Sequence, residues 1–361
     1  MSTDVRVIYL APSSGSSGVG DYADDFAAAV RPHVRELVQF RHGPARADSA
    51  RGILRERRRL RELVRRYDDG TPLVVHCELS GGAAVPFWAV RPLIRDGVRV
   101  TATLHDPPRP VWYPFLTRGV SKGRVLNQAI HRPLHRVLEG VERRTLAGTD
   151  LFVLTSTGAA ATRALGMGRS VTEARLILPV RDALPPVTQR PLAVGLFGHV
   201  YTGKGFDLVP ALRRALPDDV ALRVAGRGTE NLPRTPGVEI LGAVEGTDED
   251  AFFASIRVLL MPYARPPVGA HAMLPASATH THALAYRTPT LALRSPDTAF
   301  LEAEGLAVVV DGGAAELAAA AGRLATWASE LDRLVGDLDA YLAADAVRDP
   351  AQPFLEVWSR P

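Results

Sequence analysis

The stretch LPASATHTHALAYRTPTLAL, Leu274 to Leu293, passes from a loop through a helix into a strand. Pro275 and Ser277 open it, and Ala283, Leu284 and Ala285 form an apolar run. Thr288 and Pro289 then stop the helix, so TPTLAL reads as a buried strand. A short helix delivered straight into a buried strand is half of a repeating β–α unit. His280 and His282 stand where the helix begins. Three readings are open for them: metal ligands, packing or capping groups, or contacts for an anion at a helix N-terminus.

The same rhythm runs outward in both directions. VRVIYLAP reads as a strand, followed by glycine-rich SSGSSGVGDY and a helix ADDFAAAV. LVQFRHG, LVVHCEL, VRVTATLHD and LFVLT are further strands, with helical patterns between them, one from Val125 to Ala147. A proline-rich break, LPVRDALPPVTQRP, covers Leu178 to Pro191. The alternation restarts with LAVGLFG, the helix FDLVPALRRAL, then ALRVAG, VLLMPY, TPTLAL and LAVVVD, and a last long helix over Ala314 to Ala344. Alternating β and α elements predict parallel sheets covered by helices, an α/β class. At 361 residues the chain divides into two such domains, joined near residues 180–190. Ligands of doubly wound sheets bind beyond the carboxyl ends of the strands, so a cleft between two facing sheets is the expected site.

Composition narrows the class. The chain is 46% hydrophobic and 23% charged, ordinary for a globular protein. No apolar run approaches the roughly 20 residues of a membrane span, and the N-terminus reads as a strand. The single cysteine, Cys77, cannot form an internal disulfide, and a cytoplasmic location is expected. A net charge of +4 indicates no nucleic-acid partner. Of the 43 Lys and Arg residues only Lys122 and Lys204 are lysines. A lysine kept against that preference for arginine points to a need for a compact ammonium, and draws attention to Lys204.

Gly18 and Gly20 allow a tight turn between the first strand and helix. The loop lacks the G-x-G-x-x-G order, and Arg41 and His42, not a carboxylate, end the second strand, so dinucleotide binding is not expected. In LFGHVYTGKGFDLV, Gly198 ends a strand, and Lys204 and Gly205 precede a helix. This sets one ammonium at a helix start, suited to a diphosphate, although the order is not that of a Walker A loop.

The ordered set SGVGDYADDFAAAV, TATLHD, ERRTLAGTDLFVLTS, GHVYTGKGFDLVPAL, LRVAGRG, VLLMPY and HALAYRTPTLAL resembles the GT-B glycosyltransferases of the family 4 type over nearly the whole chain. The resemblance implies two Rossmann-like domains facing a central cleft. An acceptor-binding domain would cover residues 1–182, with a tail, 345–361, crossing back to it. A nucleotide-sugar domain would cover 190–344. It also implies a hexosyltransferase that moves a sugar from a nucleotide diphosphate sugar to a hydroxyl acceptor with retention. No metal and no cofactor beyond the donor would be needed. The acceptor would be a small molecule, a glycan or a lipid-linked group. His105 in TLHD and Lys204 would serve catalysis. Gly18, Gly20, His199, Lys204, Gly226, Ser277, Thr279, His280 and His282 would line the donor, with Lys204 on the diphosphate.

The chain departs from the family's pattern in two places. His199 stands where an arginine is usual. The family also carries two glutamates eight positions apart, and aligned on HALAYRTPTLAL they are replaced by Leu274 and His282, while Arg287 replaces a glycine. No Asp or Glu occurs from Ala251 to Pro296. The carboxylate for the nucleotide ribose is therefore expected to be absent, with His282 in its place. The same gap supports a second reading, a GT-B-shaped binding or partner protein without activity.

Three further features carry two readings each. RGILRERRRLRELVRRY, residues 51–67, is a basic amphipathic helix with Ile53, Leu60, Val64 and Tyr67 on one stripe. It either packs by that stripe alone or also docks to an acidic acceptor or, as a weak peripheral contact, to an anionic membrane. Trp112, Tyr113 and Phe115 either stack on sugars or an apolar acceptor or pack on their own domain. His76 reads as core, and Glu78 as a cleft-facing group for acceptor hydroxyls.

Overall fold

The computed structural model of the chain describes residues 3–43, 48–81, 84–111, 113, 115, 124–264, 271–344 and 349–360. It divides into two units: Met1–Ile177 with Pro267–Ala276 and Asp349–Pro361, and Leu178–Pro266 with Ser277–Arg348.

The first unit holds six parallel strands: β1 (Thr3–Pro12), β2 (Val34–His42), β3 (Leu73–Leu79), β4 (Arg99–Leu104), β5 (Asp150–Val153) and β6 (Ser170–Glu173). Their order is β2-β1-β3-β4-β5-β6, so the chain reverses its direction of travel between β1 and β3. From Val5 to Ala11 the burial of β1 is unbroken. This is the pattern of a central parallel strand covered on both faces, and it explains the continuous apolar run in the sequence. One face packs Ile8, Leu10, Val75 and Phe87 into a core; the other packs Val7, Tyr9, Phe26, Phe152 and Trp358.

Three helices of this unit carry residues singled out from the sequence. Helix α1 (Gly18–Val30) starts at Ser17, whose hydroxyl accepts from the Gly20 amide, so its first turn lies earlier than ADDFAAAV suggests. Helix α2 (Ala50–Arg66) buries Ile53, Leu60 and Val64, while Arg51, Leu54, Arg55, Arg58 and Arg59 line a groove of about 420 Å³ on its outer side. The C-terminal helix (Gln352–Trp358) buries Phe354, Leu355, Val357 and Trp358.

The second unit has strands β7 (Ala193–Phe197), β8 (Ala221–Ala225), β9 (Val238–Gly242), β10 (Val258–Met261), β11 (Thr290–Leu293) and β12 (Val308–Val310). They are again parallel, in the order β12-β11-β10-β7-β8-β9, with the reversal between β7 and β10. The single long helix expected near the C-terminus is two helices, Ala314–Thr326 and Ala328–Leu342. They break at Trp327, whose ψ of 84° leaves the helical region. No helix among the described residues is long and apolar enough to cross a membrane.

Candidate functional site

In the second unit the residues singled out from the sequence gather at the carboxyl ends of β7, β8 and β10, around the reversal point. Gly198 follows β7 with φ +126°, and Gly226 follows β8 with φ +124°, backbone that side-chain-bearing residues rarely adopt. A Cβ on Gly226 would lie 2.1 Å from the Gly198 carbonyl oxygen, and one on Gly198 would lie 2.7 Å from Thr279 Oγ1. Glycine is thus required at both positions because two loop backbones and a helix start touch here. Thr279 fixes the contact by donating to the Phe197 carbonyl at 3.2 Å. His199, half-buried, comes next.

The loop after β7 then meets the residues after β10. Ala264 N donates to Gly203 O at 3.0 Å, and a Cβ on Gly205 would strike the Pro262 carbonyl at 2.3 Å. This pairing buries Lys204. Its Nζ lies 2.5 Å from the Tyr263 hydroxyl and 3.9 Å from the centre of that ring, with the Tyr201 ring at 5.5 Å. An ammonium against aromatic faces in a partly dry setting attracts an anion more strongly than one in water.

Ser277, Thr279, His280 and His282 come together on the helix Ala278–Ala285, but their side chains do different things. Ser277 caps the helix, its hydroxyl accepting from His280 N at 3.3 Å. His280 is buried, with Nδ1 3.1 Å from Thr290 Oγ1 and its ring edge-on to Phe300. Burial pushes the His280 imidazole down to about 3, so it is neutral. His282 is more open, and its Nδ1 is 2.8 Å from Glu249 Oε1.

Glu249 was not found by sequence reasoning. It lies on the helix Thr247–Ala254, 33 residues before His282, and supplies a carboxylate to a segment that has none of its own. The same oxygen accepts from Arg181 Nη2 at 2.9 Å and Tyr286 Oη at 3.1 Å. Burial alone would raise the Glu249 carboxyl, but His282 and Arg181 hold it below the usual range. His282 therefore presents a ring whose orientation is set by a fixed carboxylate behind it.

In the first unit, Gly18 and Gly20 lie in the opening turn of α1 at the end of β1. A Cβ on Gly20 would fall 2.4 Å from the Ser13 carbonyl oxygen, whereas Gly18 has open space around it. His105 follows β4 and Glu78 lies in β3. His105 Nε2 meets Glu78 Oε2 at 2.7 Å, and the Tyr22 ring stands edge-on to the imidazole at 4.9 Å. Glu78 is fully buried, so it is not the cleft-facing group expected; its carboxylate is spent on His105 and on Tyr9 Oη at 2.7 Å. Burial works to raise the Glu78 carboxyl, yet the hydrogen bonds from His105 and His76 hold it at about 2. His76 is core, bonded to Thr101 and Thr103 at 2.8 and 3.0 Å. Of the aromatic loop, Trp112 lies outside the described residues, and Phe115 packs on Trp88 with ring centres 5.4 Å apart. Among the described residues no group of three or more His, Cys, Asp or Glu side chains is arranged to hold a metal ion.

No protein-family model matches the chain, and no curated protein is similar to it. Solved structures are. One is HepE from Anabaena in complex with UDP and glucose, 12% identical, TM-score 0.62, over 98% of this chain and 97% of that one. Another is OtsA in its apo form, 11% identical, TM-score 0.59, over 99% and 97%. A third is AviGT4, a glycosyltransferase involved in avilamycin A biosynthesis, 15% identical, TM-score 0.56, over 98% and 97%. At such identities the likeness defines architecture: the chain has the two-domain α/β GT-B fold, each domain built on a six-stranded parallel sheet.

Proposed function

We propose that the protein transfers a sugar, a hexose by the family resemblance, from a nucleotide diphosphate sugar to a hydroxyl acceptor, with retention of configuration and without a metal ion. The observation that carries this reading is the buried Lys204 ammonium on the Tyr263 ring, beside the Gly198–Gly226–Thr279 contact at the β7/β10 reversal. That is where a doubly wound sheet binds phosphates. The fold is shared with HepE, whose structures hold UDP, UDP with glucose, and UDP-glucose.

Lys204 would balance the charge that grows on the leaving diphosphate. His282, backed by Glu249, would face the ribose. His105 would orient the transferred sugar. No side-chain nucleophile is invoked: the departing phosphate oxygen would take the acceptor proton on the face it leaves. Ser277 and His280 spend bonds on capping and on Thr290, which favours a second reading, a GT-B-shaped binding protein.

Calorimetric titration with UDP, GDP, ADP and dTDP, followed by a transfer assay with the matching donor sugars in EDTA, separates the readings. One nucleotide is expected to bind, and its sugars to turn over with EDTA present. Binding without turnover would select the binding protein; no binding by any of the four would overturn both.

A further inference from the structure

The strongest unassigned feature is the buried network behind His105. Glu78 and His76 are fully buried, while the His105 side chain, at 11% exposure, is the member that reaches the surface. Both Glu78 oxygens are engaged: Oε1 accepts from Tyr9 Oη at 2.7 Å and Oε2 meets His105 Nε2 at 2.7 Å. His76 Nε2 stands 3.5 Å from Oε1 and is itself engaged by Thr103. Trp358 Nε1 donates to Thr101 Oγ1 at 3.1 Å and closes the network from behind. The carboxylate has no room to shift, and the edge-on Tyr22 ring limits rotation of the imidazole.

An ionised carboxylate only accepts hydrogen bonds, so the proton between Glu78 and His105 sits on Nε2. A neutral imidazole with hydrogen on Nε2 has a bare lone pair on Nδ1. That nitrogen has no protein partner among the described residues. His105 directly follows β4, and Glu78 lies near the carboxyl end of β3, the strand beside the β1/β3 reversal. We infer that Glu78 is a positioning residue that fixes His105 in one tautomer, so that Nδ1 accepts a hydrogen bond from a hydroxyl of a bound polyol. Such a group selects a donor such as a sugar hydroxyl over a phosphate oxygen or a carbonyl, which offer only lone pairs. The choice of a sugar as the polyol rests on the sugar-transfer reading; the tautomer does not.

Nitrogen-15 NMR of the imidazoles tests this on the full chain at pH 7.5, with His105→Gln identifying the resonance. In the wild type, Nε2 is expected to be protonated and Nδ1 bare, and the Nδ1 signal to move when glucose is added with saturating UDP. Glu78→Gln offers an amide that can donate to Nε2, so the ring should populate the other tautomer and the response to glucose should weaken at least tenfold. A protonated Nδ1 in the wild type would overturn the proposal. So would an Nδ1 signal unmoved by saturating glucose, or a Glu78→Gln protein with the wild-type tautomer and glucose response. If Glu78→Gln does not fold, the wild-type tautomer and its response to glucose decide alone. Loss of the transfer reading would appear separately, as failure of nucleotides to bind.

Discussion

Lys204 and Arg287 show how one side chain carries a function or a strain. Lys204→Ala removes the ammonium proposed to face the leaving diphosphate. The expected cost is about 2–4 kcal/mol of transition-state stabilisation, roughly 10²–10³ in turnover. Unchanged turnover and unchanged UDP affinity would remove Lys204 from the site. Arg287 has φ +50°, the left-handed region. It occupies the position after the cap of the helix Ala278–Ala285, where Thr288 N returns to Ala283 O and Arg287 N to Leu284 O. This is a Schellman closure, whose left-handed residue is usually glycine. Its ion pair with Asp339 is half-exposed on both sides and contributes little. Arg287→Gly is therefore expected to stabilise the fold by about 0.5–1 kcal/mol, read as a raised urea midpoint with an unchanged slope. A lowered midpoint would show that the ion pair outweighs the backbone strain. The sequence made the departure at Arg287 visible. It did not reveal Glu249, because a carboxylate 33 residues from His282 becomes its partner only through the packing of two helices on one sheet.

At the scale of elements, ten strands are legible in the sequence, and two are not. Ser170–Glu173 and Val238–Gly242 each close one edge of their sheet, as β2 and β12 close the other, and neither contains a fully buried residue. An edge strand is covered less completely, so its sequence need not be apolar throughout. The break at Trp327 was also invisible, since neither glycine nor proline marks it. The C-terminal helix gives a sharper test of what an element contributes. Trp358 is 1% exposed, packs against Phe26, His76 and Phe354, and its carbonyl accepts from Arg99 Nη1 at 3.2 Å. Trp358→Ala removes a large buried ring and takes from the Thr101 hydroxyl the indole N–H it accepts. It is expected to lower stability of the first unit by about 3–5 kcal/mol in urea unfolding. A loss below about 1 kcal/mol would mean that the helix is only laid on the surface.

For the whole molecule, the decisive fact is that each unit encloses its own core. Ile8, Val75 and Phe87 belong to one cluster, and Leu196, Leu222 and Leu260 to another, with no residue shared between them. Domains with separate cores unfold as separate cooperative units unless something couples them. The nucleotide-contacting residues proposed in the second unit, Lys204, Thr279 and His282, are all secured by bonds within that unit. A ligand that binds only the folded form stabilises it by about 2.7 kcal/mol at one hundred times its dissociation constant. For a unit of this size that corresponds to a rise of roughly 5–10 °C in its midpoint. Scanning calorimetry with and without UDP, or whichever nucleotide binds, should therefore show one transition moving by that amount and the other moving far less. Trp358→Ala labels the first unit, because it should lower the transition that the nucleotide leaves in place. If the nucleotide raised the Trp358-sensitive transition instead, the diphosphate site would belong to the first unit, and the assignment of Lys204 would fall with it.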